Sequence, residues 1–327
     1  MTEGSDDGPR RRRHVATPFG GGSERTGEPA GGSVTLSRAV TERYRRLSLY
    51  NSPYAAHERG RAVDLYPYPG EAPSPVAGRV TTVRSVDAPP KPYAADRDHL
   101  IVVETDADAG LVTPPGARVR VMHVDPGVRE GDRVTVGDSL GATVRSGFFA
   151  PWVDDHLHVG VRPPGANPLR ATGSVPVRLG DVRVDARDWD GRGTVVETGD
   201  CYVTLDRPTH PAPGDRLAAI AARVGADDRR FVADGGLVHY EGGGVVPTDG
   251  TRAEPGAPVR VAGERVGTVR EDGRTVAWRD LTVTLDGDPV TGVSLYAGYD
   301  RAGAKVVGPG VSATVGDTVR VRFDPVT

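Results

Sequence analysis

The strongest constraint on the fold is the spacing of apolar runs along the chain. From residue 50 onward, short valine-rich segments alternate with clusters of proline and glycine. The first six segments cover residues 62–65, 76–83, 100–104, 118–124, 133–136 and 156–161. Runs of this length between turn residues are typical of β-strands, and the 44 glycines and 28 prolines of this 327-residue chain disfavour long helices. The pattern predicts a mainly β protein, either a sandwich or a barrel.

Composition and the pattern of apolar runs divide the chain into three parts. Residues 1–36 are polar and glycine-rich and are predicted to be a disordered tail. Residues 37–173 are predicted to form a first β domain, which begins with a short helix or an entry strand at 37–49, and residues 174–327 a second β-rich domain. The second domain is predicted to contain strands at 175–184, 193–205, 259–269, 275–285 and 315–323, one helix at 215–224 and a glycine-rich loop at 242–244.

Composition excludes several classes of partner. A net charge of −3 provides no basic field, so no nucleic-acid partner is expected. No stretch approaches the roughly 20 apolar residues of a membrane helix, so no membrane association is expected either. The basic residues 10–13 are followed by polar residues where a signal peptide has its apolar core, and cytoplasmic localisation is therefore expected.

Cys201 is the single cysteine, so a metal site would need histidines and carboxylates as ligands.

One predicted strand carries two histidines on the same face. His156 and His158 flank Leu157 in a run of β-branched residues, and residues i and i+2 of a strand point the same way, about 7 Å apart. Two such imidazoles can converge on one metal ion, or one can bind the ion while the other acts as a base. The pair by itself is also compatible with an ordinary half-exposed strand, so the other residues of the chain must distinguish between these two interpretations.

The order of motifs around this pair is informative. Along the chain come His57 and Asp64, a Ser-Pro-Val-Ala-Gly-Arg-Val segment at 74–80, and His123 at the end of an apolar run. A hairpin punctuated by Gly-Asp at 127–141, the His-Leu-His strand and an Asn-Pro-Leu segment at 167–169 follow. This succession resembles the lysostaphin-type zinc metalloendopeptidases, a murein endopeptidase family, over residues 48–171.

The resemblance implies a fold, a cofactor and a set of roles. The fold would be an antiparallel β sandwich built on the duplicated hybrid motif, followed by the second β-rich domain. Zinc would be held by His57, Asp64 and His158, which leaves a fourth position for water, as a catalytic zinc requires. His156 and His123 would transfer protons beside that water. The implied activity is zinc-dependent hydrolysis of the amide bonds of a peptide or peptide-like substrate.

The chain departs from the family at the first ligand. The family has a histidine four residues before the aspartate, whereas here Gly60 occupies that position and His57 lies seven residues before Asp64. In a plain strand, residues seven apart face opposite ways and are about 23 Å apart. His57 can therefore join Asp64 only if residues 59–61 form a bulge or a turn, which a glycine permits because it adopts positive φ freely.

Further residues leave two interpretations open. Phe148, Phe149 and Trp152 are bulkier than the usual approach to the site in this family and are expected to narrow or cover the cleft. Asp154 and Asp155 either orient the histidines or are solvated turn residues. The displaced histidine, the bulky cleft and the missing export signal favour an alternative function. In that alternative, the protein is a non-catalytic binding or scaffolding protein that retains the peptidase fold with an altered metal site.

Overall fold

The structure is a computed structural model that describes residues 32–106, 110–113 and 115–326. Residues 1–31 of the predicted tail lie outside the described residues. The tail was predicted to reach residue 36, but Val34–Leu36 form a strand whose Val34 and Leu36 side chains are buried. This strand pairs with two others, which gives it the backbone hydrogen bonds that a tail lacks.

The described residues form two short helices and many strands, which confirms the prediction of a mainly β protein. The helices are α1 (Arg38–Thr41) and α2 (Ala55–Glu58). The strands are β1 (Val34–Leu36), β2 (Tyr44–Ser48), β3 (Ala62–Pro67), β4 (Gly78–Asp87), β5 (Arg97–Thr105), β6 (Leu111–Val112), β7 (Arg118–Met122), β8 (Val124–Pro126), β9 (Arg133–Val134), β10 (Gly141–Thr143), β11 (Leu157–Arg162), β12 (Val177–Leu179), β13 (Val184–Arg187), β14 (Arg192–Gly199), β15 (Tyr202–Leu205), β16 (Leu217–Val224), β17 (Arg229–Leu237), β18 (Gly242–Pro247), β19 (Pro258–Val261), β20 (Glu264–Val269), β21 (Thr275–Trp278), β22 (Leu281–Leu285), β23 (Asp288–Val290), β24 (Gly292–Leu295), β25 (Ala297–Gly298), β26 (Ala304–Val307) and β27 (Thr318–Pro325). In the part of the chain that the structure describes, neither helix is long enough or apolar enough to cross a membrane.

One antiparallel sheet carries most of the predicted site. Its strands run in the order β25, β2, β3, β11, β7, β5, β4 and β9. On the central strand β11, His158 lies opposite Asp64 of β3 on one side and Met122 of β7 on the other. Directly opposed residues of neighbouring strands have their side chains on the same face, so this register brings His158 and Asp64 together.

The second half of the chain is also β-rich and is joined to this sheet. Strands β16, β17, β18, β21, β20 and β19 pair in that order, and β19 pairs back with β16, so the six strands close on themselves. Strand β25 pairs with both β16 and β2, which makes the sheet continuous between the halves. Leu217, Ala219 and Val232 of the second half pack into the core of the first half. A second core lies within the second half.

Two local predictions for the second half are wrong. The predicted helix at 215–224 is instead strand β16. Its Leu-Ala-Ala-Ile-Ala-Ala sequence has a strong helix propensity, but those six side chains are all buried. Small apolar residues suit a strand covered on both faces, and tertiary packing overrides the helix propensity.

The predicted glycine-rich loop at 242–244 is the beginning of strand β18. The glycines are required by close packing rather than by a turn. A Cβ atom on Gly243 would lie 2.2 Å from the Trp278 ring, and one on Gly244 would lie 2.3 Å from the Tyr50 ring. Glycine within a strand often marks such an approach. For residues 37–49, both predicted alternatives are present, because α1 is followed directly by β2.

Candidate metal centre

The turn that the sequence requires at residues 59–61 is present. His57 lies on helix α2, whose last turn closes with hydrogen bonds from the Gly60 amide to the His57 carbonyl and from the Arg61 amide to the Ala56 carbonyl. Gly60 has a φ of 58°, in the left-handed region that glycine adopts readily. The chain therefore reverses between the helix and strand β3, and the His57 ring comes to lie beside Asp64.

His57, Asp64 and His158 bring three ligand atoms together. The Nε2 atom of His57 lies 3.1 Å from Asp64 Oδ1 and 3.0 Å from His158 Nδ1. His158 Nδ1 lies 3.0 Å from the same carboxylate oxygen. Ligand atoms around a tetrahedral zinc with bonds of about 2.0–2.1 Å are roughly 3.3–3.4 Å apart. The three atoms need to move only a few tenths of an ångström to hold a metal ion of this kind.

The orientation of His57 is fixed by a backbone carbonyl. Its Nδ1 lies 2.9 Å from the Leu49 carbonyl oxygen. A carbonyl only accepts hydrogen bonds, so Nδ1 carries a proton and Nε2 is the nitrogen directed at Asp64, where it can bind a metal when it is unprotonated. The side chain is fully buried, and Asp64 is 2% exposed.

The charges of the cluster favour a cation. Burial alone would raise the pKa of Asp64, but the imidazoles of His57, His156 and His158 hold it well below its usual range. Burial lowers the pKa of His158 to about 4, against the opposing effect of Asp64. Burial also acts to lower the pKa of His57, yet the Asp64 carboxylate outweighs it and the pKa is raised. At neutral pH the ionised carboxylate and the neutral His158 are in the protonation states that bind a metal, whereas a proton on His57 Nε2 would have to leave before the metal binds.

His156 faces the same space from the residue before strand β11. Its Nδ1 donates to the Asp154 carbonyl oxygen at 2.8 Å, and its Nε2 lies 3.6 Å from Asp64 Oδ1. Burial lowers the pKa of His156 more than Asp64 raises it. The Asp154 carboxylate binds Arg46 and Lys305.

The two aspartates before His156 therefore differ in their contacts. Asp154 orients His156 through its main chain and is itself anchored by three cations, Arg45, Arg46 and Lys305. Asp155 is directed elsewhere, with an oxygen 3.4 Å from an Arg145 nitrogen.

His123 is held by a residue that the sequence did not single out. It has a φ of 70° at the junction of β7 and β8, and its Nδ1 donates to Asp98 Oδ2 at 2.6 Å. The Ser146 hydroxyl donates to the same oxygen at 2.7 Å, and the backbone amides of His99 and His123 donate to Oδ1. Burial would raise the pKa of Asp98, but the His123 imidazole and these donors lower it to about 2. The sequence signal for this role is the position of Asp98 at the start of strand β5. This signal becomes useful only once β5 is known to pair with β7, the strand that ends just before His123.

His123, His156 and His158 lie on the wall of a cavity of about 370 Å³. The His123 and His156 ring centres are 5.0 Å apart, and the Phe149 ring lies 5.3 Å from His123 and 4.9 Å from His156. The other lining residues include Tyr54, Tyr93, Phe148, His158, Asp64 and, from the second half of the chain, Tyr240. Phe148 and Phe149 both line this cavity. Trp152 instead packs edge-on against His239, with ring centres 5.8 Å apart.

Two family models match the chain. The first, described as a domain of unknown function (DUF8155) N-terminal domain, covers residues 35–179, and the second, described as the C-terminal domain of the same family, covers residues 185–324. Each half of the chain is thus similar to one half of that family. No curated protein and no solved structure matches the chain. The assignment of a function therefore depends on the geometry of the cavity.

Proposed function

We propose that the protein is a zinc-dependent hydrolase of peptide or peptide-like amide bonds, similar to the lysostaphin-type endopeptidases, and that its first half is a duplicated-hybrid-motif sandwich. The observation that carries this proposal is the convergence of His57, Asp64 and His158 within 3.0–3.1 Å of one another, although the spacing of the first histidine is unusual. Two imidazole nitrogens and one carboxylate oxygen fit the ligand preferences of zinc. The carbonyl behind His57 supplies the outer hydrogen bond that metal-binding histidines usually make.

When bound, zinc would supply a Lewis acid that lowers the pKa of a coordinated water and polarises the substrate carbonyl. The protein supplies the proton transfer. His156 has its Nδ1 proton held by the Asp154 carbonyl, so its Nε2 is free to accept a proton from the attacking water. Its lowered pKa keeps it unprotonated at neutral pH.

His123 is suited to the complementary role. Its Nδ1 proton is held by Asp98, which leaves Nε2 to donate a proton to the substrate once the ring is charged. The ionised Asp98 carboxylate stabilises that charged ring, as a buried aspartate does in other hydrolytic sites. His123 and His156 are adjacent on the cavity wall, which allows both to act on one amide bond.

A second candidate function is a non-catalytic protein that binds zinc and a peptide. The position of Phe149 favours it, because its ring lies within about 5 Å of both proton-transfer histidines. If this ring permanently covers them, an amide bond cannot reach His156. The metal would then have a structural role, and the aromatic cavity would serve only for binding.

The test combines metal analysis with hydrolysis of a defined pool of short apolar peptides, in which new amino groups are detected by fluorescence. We expect one equivalent of zinc in the wild type and in His156→Ala, and a large loss of zinc in His158→Ala. Hydrolysis should be lost in both variants, because the first lacks a base and the second lacks a ligand. A wild type that binds no zinc would refute the proposal. Zinc binding without hydrolysis, in the wild type and in Phe149→Ala, would favour the second candidate.

A further inference from the structure

A buried carboxylate of the second half reaches into the first half behind the metal ligands. Asp234 lies on β17 and is 2% exposed. Its Oδ2 accepts a hydrogen bond of 2.6 Å from the Leu49 amide, and its Oδ1 accepts one from the Ser48 hydroxyl. The hydrolytic chemistry proposed above does not use this residue. A buried carboxylate is costly unless it makes such bonds, so its place between the halves needs an explanation.

The explanation lies in Leu49. Its carbonyl accepts the Nδ1 proton of His57, while its amide donates to Asp234. Asp234 and His57 therefore hold the amide and the carbonyl of one residue, and a shift of the carboxylate would move the acceptor that orients the imidazole.

The Tyr50 ring provides a second, independent connection between the second half of the chain and the segment that carries His57. It packs against Gly244, which lies opposite Asp234 on the neighbouring strand β18. Its hydroxyl lies 2.9 Å from the position that a Cβ atom on Gly60 would occupy, at the turn behind His57. The second half thus reaches the carbonyl that holds the His57 ring through Leu49, and the turn that places the His57 backbone through the Tyr50 ring.

We propose that Asp234 is a positioning residue for the metal ligand His57, so that the second half of the chain sets the zinc affinity of a site whose ligands all come from the first half. The inference rests on the proposed metal site but does not depend on hydrolysis. Contacts that orient a metal-binding histidine typically change metal affinity by roughly 10- to 100-fold. An effect of this size is expected here because a single residue, Leu49, connects Asp234 to His57.

The test is competition between the full-length protein and a chelator for zinc alone. Asp234→Asn keeps the shape of the side chain but replaces one acceptor oxygen by a donor, and it should weaken zinc binding by about 10- to 100-fold. Absorption of the cobalt-substituted protein should shift as well, because the ligand field depends on the orientation of the ring. The matched control is Val293→Ala, a buried residue of the second core. It should lower stability and leave zinc affinity within about twofold, because it is not connected to His57.

Each outcome decides the question. Equal zinc affinity in the wild type and Asp234→Asn would overturn the positioning role and leave the metal site intact. Equal losses in Asp234→Asn and Val293→Ala would also overturn it, since they would reflect general destabilisation. A wild type without zinc affinity would refute the metal site and this inference together. If Asp234→Asn does not fold, Ser48→Ala removes one bond to the carboxylate and should still weaken zinc binding several-fold; unchanged affinity there would reject the proposal.

Discussion

Asp64 and Asp98 are both buried carboxylates beside histidines, yet their surroundings suit them to different tasks. Asp64 Oδ1 faces nitrogens of His57, His158 and His156 at 3.0–3.6 Å. Asp98 has donors on both oxygens, from His123, the Ser146 hydroxyl and two backbone amides. Imidazole nitrogens around one oxygen can exchange a shared proton for a metal ion, because each has a lone pair available when neutral. Backbone and hydroxyl donors cannot, so the surroundings of Asp98 hold it as an anion that orients a ring.

The largest expected difference between the two carboxylates is in metal binding. Asp64→Ala removes one of the three proposed ligands and should lower zinc affinity by at least about 100-fold. Asp98→Ala should leave zinc affinity nearly unchanged, because Asp98 contacts His123 rather than a ligand. Chelator competition measures both. Comparable losses in the two variants would show that the clusters form one unit, and the division of roles would have to be abandoned.

The next effect concerns hydrolysis. His123→Ala should lower kcat by about 10²- to 10⁴-fold with zinc still bound, since the proposed general acid is lost. Asp98→Asn should have most of this effect, because it removes the charge that stabilises the protonated ring. The double variant should be little worse than His123→Ala alone, because residues that act together are not additive. Fully additive losses would mean that Asp98 acts through another residue.

The stability of the protein in acid reports directly on the pKa of Asp98, although the expected effect is smaller. Its pKa of about 2 in the folded protein is below its ordinary value of 3.8. Ionised Asp98 therefore stabilises the folded state at pH values above 3.8, and this contribution is lost as the pH falls through 2. A shift of this size corresponds to about 2 kcal/mol. The difference in unfolding free energy between the wild type and Asp98→Asn should shrink by this amount between pH 5 and pH 2. A constant difference would contradict a depressed pKa.

Much of the first half could be predicted because short stretches of its sequence are enough to locate its strands. The alternation of apolar runs with turn residues locates strands β3, β4, β5, β7 and β11. Two histidines on one strand share a face whatever their neighbours are, and the freedom of Gly60 allows His57 to reach Asp64.

What the sequence missed depends on contacts between distant elements. The role of Asp98 depends on the pairing of β5 with β7, which no local pattern reveals. Strand β16 looks helical because alanine favours a helix until burial on both faces decides otherwise. Asp234 reaches the site only because β2 and β16 both pair with β25, which joins the two halves.

The smallest expected effect tests the turn that brings His57 to Asp64. Gly60→Ala puts a Cβ atom 2.9 Å from the Tyr50 hydroxyl at a φ of 58°. The left-handed conformation alone should cost about 1–2 kcal/mol. Gly70 has a φ of 81° with no atom within 4 Å of its would-be Cβ, so Gly70→Ala carries the same backbone strain without the contact.

Urea unfolding and chelator competition should separate these two variants. Both should lose stability, but only Gly60→Ala should also weaken zinc binding, by several-fold, because the strain at Gly60 falls on the segment that holds a ligand. The Asp98 cluster should be unaffected in either variant, so adding Asp98→Asn should change the stability at pH 5 by the same amount in both variants as in the wild type. If Gly70→Ala weakened zinc binding as much as Gly60→Ala, the metal centre would depend on overall stability rather than on the turn at residues 59–61. The Asp64 and Asp98 clusters would then differ in rigidity rather than in their hydrogen bonds.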